Sequence, residues 1–238
     1  MIVIIAGQQD EAARFLAARW KACDARLLTP RDLSIAGWRH QPHPGRDYMA
    51  VVDGRTVSGA EITGVLTRLS YVPEYELMHV VEHDRAYVAA EMTALLSSWL
   101  TGLACPVLNR PTPTYLSGPA WRREQWVHFA AHLGVPVCPV HRNARRTVDP
   151  DAKDSSHPDN LVAVVAGHCF GAPNRTVADH ARRLASAAGV DLLAAHFTRV
   201  EGTYKLAGAD LWPDVTLPGV ADAILDCLSG RRQCETVH

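Results

Sequence analysis

Lysine is nearly missing from this chain. Only Lys21, Lys153 and Lys205 occur in 238 residues, so almost all the positive charge is arginine. A phosphate site built on lysines is poorly supplied here. An excess of either charge is missing too: 24 Lys and Arg against 25 Asp and Glu leave a formal net charge of −1. That balance provides no basic footprint for nucleic acid and none for an acidic membrane surface. No apolar run approaches the roughly 20 residues that a spanning helix needs. The opening MIVIIAGQQDEAARF lacks the basic start and long apolar stretch of a signal peptide. Six cysteines occur, but none form a C-x-x-C pair. Several lie in apolar runs, where a free cysteine behaves as a small hydrophobe. A reduced, cytoplasmic setting is expected.

What is present is enough for a sizeable core, with 47% hydrophobic residues. The length fits one large domain or two small ones. The most informative stretch is 105–140, CPVLNRPTPTYLSGPAWRREQWVHFAAHLGVPVCPV. Residues 105–108 form a short apolar run that Asn109-Arg110-Pro111 breaks. Ser117-Gly118-Pro119 is expected to open a helix, with Pro119 in the first turn, where a missing N–H costs little. Trp126, Phe129, Ala130 and Leu133 mark one helical face, and Gly134 stands where a left-handed cap is needed. Residues 135–140 are apolar again.

The rest alternates strands and helices, which argues for an α/β layer structure. Strands are expected at 2–6, 26–29 and 65–69, and helices at 11–22 and 82–100. Phe15, Leu16 and Trp20 are available to one face of the first helix. Tyr87, Ala90, Leu95 and Trp99 are the candidate core contacts of the second. Residues 48–52 and 55–57 read as a hairpin around Asp53-Gly54, a type I′ turn signal. Residues 142–160 are polar without hydrophobic period and read as a loop. Then follow a strand at 161–166, a turn region at 167–174 and a helix at 176–188 with Thr176 as its N-cap. Paired strands are expected at 190–198 and 203–207 around Glu201-Gly202, and a closing helix at 220–229.

This order resembles ATP-grasp ligases, the ATP-dependent carboxylate–amine ligases that include glutathione synthetase and the ligases that modify ribosomally made peptides. The first part looks like the family's N-terminal domain, whose hairpin leads to a strand ending in a Trp/Tyr-Arg pair; the match here is Thr67-Arg68. The Asn109-Arg110-Pro111 turn matches the family's Asn-Pro turn after a long helix. VDLLAAHFTRVEGTYKLAGADLWPDV resembles its closing hairpin. The resemblance implies an N-terminal pre-ATP-grasp-like domain over 1–104 and a reduced ATP-grasp-like domain over 105–238. It also implies a nucleotide lid with phosphate-binding lysines, where this chain has the polar segment 142–160 and Lys153. The closing hairpin normally begins with an Asp, replaced here by Ala195-His196. The Glu-x-Asn that follows is replaced by Ala207-Gly208-Ala209-Asp210, leaving Asp210 and Asp214 nearby. Mg²⁺ needs oxygen ligands in octahedral order. Phosphoryl transfer depends on positioning and on neutralised phosphates.

Other constellations compete. His79-Val80-Val81-Glu82-His83 matches H-x-x-E-H; on a helix the two histidines would share one zinc, with Glu82 as general base. His128 and His132 are also spaced i, i+4. His168, beside Cys169 at a strand end, and His196, in place of a carboxylate, are the better site histidines. Arg68 and the Arg122-Arg123 pair offer a clamp for carboxylate or phosphate. Arg68, ending an apolar strand, must find a partner or snorkel.

The expectation is therefore an α/β fold: a three-layer N-terminal domain, then a shortened ATP-grasp-like α+β half lacking the lid. The leading functional reading is a non-catalytic ATP-grasp-like protein that binds a partner protein, a peptide or a small substrate in a peptide-modifying or natural-product pathway. Its binding residues are expected among Arg68, Asn109, Arg122, His168, His196 and Asp210. No cofactor, metal, nucleic acid or membrane is expected. An active carboxylate–amine ligase using ATP and Mg²⁺ is the first alternative, and a zinc hydrolase using His79 and His83 the second.

Overall fold

The structure is a computed structural model and describes residues 1–40, 48–139 and 160–230. They fall into two compact units, Met1–Ala120 with the chain from Ala221 onward, and Trp121–Val220. The expected boundary at 104/105 lies inside the first unit.

The first unit is built on a four-stranded parallel sheet. In chain order its strands are β1 (Ile2–Ile5), β2 (Ala25–Leu28), β5 (Gly64–Thr67) and β6 (Val107–Leu108), and in space they run β2-β1-β5-β6. Helix α1 (Glu11–Arg19) links β1 to β2. Asp10 caps it, accepting from the Ala13 N–H at 2.9 Å. A separate hairpin, β3 (Met49–Val52) and β4 (Arg55–Ser58), has positive φ at both Asp53 (51°) and Gly54 (70°). That is the backbone a type I′ turn demands. Helix α2 (Arg85–Gly102) packs its Ala89, Leu96, Trp99 and Leu100 into one core with Val3, Ile5, Val65 and the hairpin's Ala50, Val52 and Val57. Ile2, Ile4 and Leu66 alternate to the other face and are also fully buried. A parallel sheet covered on both sides needs such continuous apolar strands. Helix α5 (Val220–Leu228) approaches that sheet closely at Gly64, where an added Cβ would lie 2.4 Å from the Leu228 carbonyl oxygen. These three layers are the architecture expected for the N-terminal part.

The core face of α2 differs from expectation. Tyr87 is 69% exposed and Ala90 is exposed, while Leu96 and Leu100 are buried. The helix also begins three residues later, at Arg85.

The second unit is an antiparallel sheet, ordered β10-β9-β7-β8. Its strands are β7 (Asn160–Val165), β8 (His168–Phe170), β9 (Leu192–Val200) and β10 (Thr203–Asp210). Helices α3 (Arg123–His132) and α4 (Arg175–Ala188) share one core with it. Trp126 and Ala130 from α3 and Val177, Ala181 and Leu184 from α4 meet Val162, Val164, Leu193, Ala195 and Phe197. Three boundaries are corrected. Helix α3 starts at Arg123 rather than near Pro119. Helix α4 is capped by Asn174, not Thr176; the Asn174 side chain accepts from the Val177 N–H at 2.9 Å. Strand β10 runs on to Asp210. Apart from Asn160, the loop expected at 142–160 lies outside the described residues.

Candidate functional site

In the first unit, polar groups gather at the carboxyl edge of the parallel sheet. Strand order reverses between β1 and β5, and α/β sheets hold ligands at such a switch point. Arg68 directly follows β5. Its Nε donates to Asp10 Oδ2 at 2.9 Å, with side-chain exposures of 11% and 18%. The same Asp10 caps α1, so one carboxylate ties a helix start to a strand end. Arg68 has thus found a partner rather than snorkelled. Glu76 is a second buried carboxylate at this edge. Its two oxygens accept from the Gln8 N–H at 3.0 and 3.2 Å. Gly7 permits that approach, because a Cβ there would lie 2.6 Å from Glu76 Oε1.

The hydroxyls nearby are less well served. Thr67 and Ser117 are each 1% exposed, and neither side-chain oxygen has a hydrogen-bond partner. Buried polar atoms without a partner are uncommon in folded proteins and call for a reason. A ligand's polar group at the edge would supply one. Asn109 is also buried, next after β6. Leu66 pairs with Leu108, which places Thr67 and Asn109 side by side across neighbouring strands. Ser70 Oγ and Tyr115 Oη hydrogen-bond at 2.7 Å along the same rim. Of the expected site residues, Arg68 and Asn109 belong here. Asp10, Glu76 and Ser117 were missed, and Thr67 was noted only as the neighbour of Arg68 in the strand-ending pair. Asp10 carried a signal, an acid at a strand-to-helix turn; the others carried none.

In the second unit, His196 and Asp210 meet. The His196 Nε2 lies 2.7 Å from Asp210 Oδ2, with side-chain exposures of 27% and 50%. Asp210 Oδ1 accepts the Trp212 N–H at 2.8 Å. Both carboxylate oxygens are therefore engaged. Asp214 is likewise turned onto its own loop, accepting from the Thr216 N–H and Oγ. The pair lies on the sheet face opposite α3 and α4, since Ala195 and Phe197 point into the shared core. His168 is on that same face, level with Val165, whereas His196 is level with Leu161. Four residues and two strands separate them, about 13 Å along the sheet and about 10 Å across it. His168 therefore does not join the pair. Arg122 is exposed, and its backbone N–H donates to Gln125 Oε1. The arginine that reaches the hairpin is its neighbour Arg123, whose Nε donates to the Ala207 carbonyl at 2.7 Å. It crosses close over Gly208, where a Cβ would lie 3.1 Å from Arg123 Cγ.

The zinc constellation does not form as a helical pair. Met78 and His79 are turn, Glu82–Asp84 is a short 3-10 helix, and His79 Nε2 lies 2.7 Å from Ser34 Oγ. Among the described residues, no three His, Cys, Asp or Glu side chains converge as metal ligands. No helix among them is long and apolar enough to cross a membrane.

No protein-family model matches the chain, and no curated protein matches it in sequence. Solved structures do match in shape. The macrocyclase MdnC from Microcystis aeruginosa MRC, bound with its precursor peptide MdnA, superposes with a TM-score of 0.64 at 10% identity, over 96% of this chain and 99% of that one. A RiPP-associated ATP-grasp ligase from Chryseobacterium gregarium, in complex with ADP and a leader and core peptide, gives 0.66 at 9% identity, over 97% and 96%. The ATP-grasp ligase PsnB, complexed with a minimal precursor, Mg and ADP, gives 0.60 at 13%, over 95% and 98%. At these identities the likeness is one of fold: this chain has the fold of ATP-grasp ligases.

That fold implies Mg²⁺ and nucleotide, and the described residues of the hairpin do not fit them. Mg²⁺ is usually bound through carboxylates with free oxygens. Asp210 has both of its oxygens engaged, one of them by a histidine, and Asp214 has its Oδ1 turned onto Thr216. The only lysine on the hairpin is Lys205.

Proposed function

We propose that this chain is a non-catalytic protein of the ATP-grasp fold that binds a peptide in a peptide-modifying pathway. The observation that carries the reading is the His196–Asp210 pair. A carboxylate held by an imidazole and a backbone N–H is a finished structural element rather than an open metal ligand. The peptide-bound state of the three neighbours supports a peptide as the partner. The place assigned to it is the carboxyl edge of the first unit, supported by the partnerless Thr67 and Ser117 hydroxyls beside the Arg68–Asp10 pair. A peptide carboxylate or backbone amide matches those donors.

Titration calorimetry with Mg-ATP tests the reading. No saturable heat is expected at micromolar concentrations. The melting temperature should barely move, since stabilisation follows RT ln(1 + [L]/Kd). Micromolar affinity, or ADP released in the presence of a peptide, would overturn it in favour of an active carboxylate–amine ligase.

A further inference from the structure

A cavity of 1280 Å³ opens in the first unit along helix α2, with Tyr115 of the carboxyl-edge rim among its lining residues. The floor is the exposed face of that helix: Ala86, Ala90, Ala94, Ser97 and Thr101. Tyr71, Tyr75 and Tyr115 stand along one wall, while His40 and Tyr48 close the far end.

The volume exceeds the roughly 300–1,000 Å³ of pockets that enclose small molecules. From Ala86 to Gly102 the floor runs for about 24 Å at 1.5 Å per residue. An elongated trough with a floor of small side chains fits a convex rod bearing large ones. Its hydroxyls make little demand on an occupant. Thr93 donates to the Ala89 carbonyl and Thr101 to the Ser97 carbonyl, both at 2.7 Å, within the helix itself. Ser98 Oγ lies 2.7 Å from His40 Nε2. Among the described lining residues, Glu74 is the only one with a formal charge, because burial holds His40 below its ordinary range and hence neutral near pH 7. Glu74 is exposed at one end of the trough. A second copy of this chain is a poor occupant. A two-fold interface brings the same patch together from both sides, and two troughs facing each other leave a void.

We propose that this trough docks an amphipathic helical segment of a peptide, seated by large apolar side chains on the alanine floor and carrying a basic side chain opposite Glu74. Helix-in-groove recognition reads anchors at i, i+3, i+4 and i+7. The class of occupant rests on the peptide reading above, while the place and the helical form rest on the trough.

The test pans the full chain against displayed helix-forming peptides of about 16 residues, the length that spans α2. Soluble versions of the binders are then followed by fluorescence anisotropy. Selected sequences should show the helical apolar period with a basic residue at one end. Ala90→Trp and Ala94→Trp should each weaken binding at least tenfold while leaving circular dichroism and melting unchanged, since both positions are exposed. Glu74→Lys should weaken it severalfold. Lys21→Ala, exposed and outside the lining, should leave it unaltered. Binders indifferent to both tryptophans would overturn the proposal, as would binders equally abundant on the double variant. So would a dimer in sedimentation that those variants dissolve, which would make a second copy the occupant. Micromolar Mg-ATP binding would overturn the non-catalytic reading and leave the trough's assignment standing.

Discussion

The two sheets treat their charged residues in opposite ways. In the parallel sheet, charged groups at the carboxyl edge are buried and bound into the frame, and two hydroxyls beside them are left without partners. In the antiparallel sheet, the charged pair is half exposed and closed on itself as His196–Asp210, while the Thr198 hydroxyl on the same strand is buried without a partner. Burial makes each polar group at the first site costly if it loses its partner, whereas solvent forgives such a loss at the second.

Cutting one ion pair in each unit tests that contrast most sharply. Arg68→Met strands Asp10 in a largely dry site and should cost about 3 kcal/mol, the range for a broken buried pair. The matching cut, His196→Gln, should cost under about 1 kcal/mol, as exposed pairs do. Urea unfolding measures both, and equal losses would abolish the distinction. Gly7→Ala pushes the Glu76 carboxylate off the Gln8 N–H and should cost about 1–3 kcal/mol, the penalty for an unsatisfied buried group. Thr67→Val should go the other way. Removing a buried hydroxyl that lacks a partner stabilises the free chain by about 1 kcal/mol, and the same change should weaken peptide binding at the carboxyl edge. A valine variant that melts lower would show that the hydroxyl is already satisfied.

The smallest effect is one of pH. Burial lowers the pKa of His40, and that of His180, where Arg183 adds to burial and Asp179 opposes it. The unfolded chain therefore takes up protons first as pH falls through about 6.5. Stability is fully present above that value and declines below it, until the depressed folded pKa is passed. Both rings are only half-buried, so the slope should be shallow. His40→Gln should flatten it further in melting curves between pH 7 and 5.

Much of the frame was legible in the sequence, because strand and turn signals are local. The β-branched runs, the Asp53-Gly54 turn and Gly134 after α3 each dictate their own backbone. Helix α2 was not legible in the same way. It is rich in alanine and apolar on several sides, so periodicity alone did not pick Ala89, Leu96 and Leu100 over Tyr87, Ala90 and Leu95; packing against β5 and the hairpin did. The site was legible only where one residue announces a need. Arg68 at the end of an apolar strand had to find a partner, but the partner lies 58 positions away. Arg122 and Arg123 look alike in sequence, yet one residue turns a helix by about 100°, and only Arg123 reaches the hairpin. Whether a buried hydroxyl has a partner is settled by geometry, as at Thr67 and Ser117.

Helix α5 gives the chain an unusual order of assembly. Residues 121–220 are inserted within the first unit, whose last helix follows them. At about 5–20 residues per second, a ribosome needs roughly 5–20 s to traverse that insert. Throughout that interval the second unit can close on residues already made, while the first waits with the part of its parallel sheet beside Gly64 uncovered. The part of the molecule synthesised first is thus the last to be finished, and its bare apolar face is what a chaperone would meet.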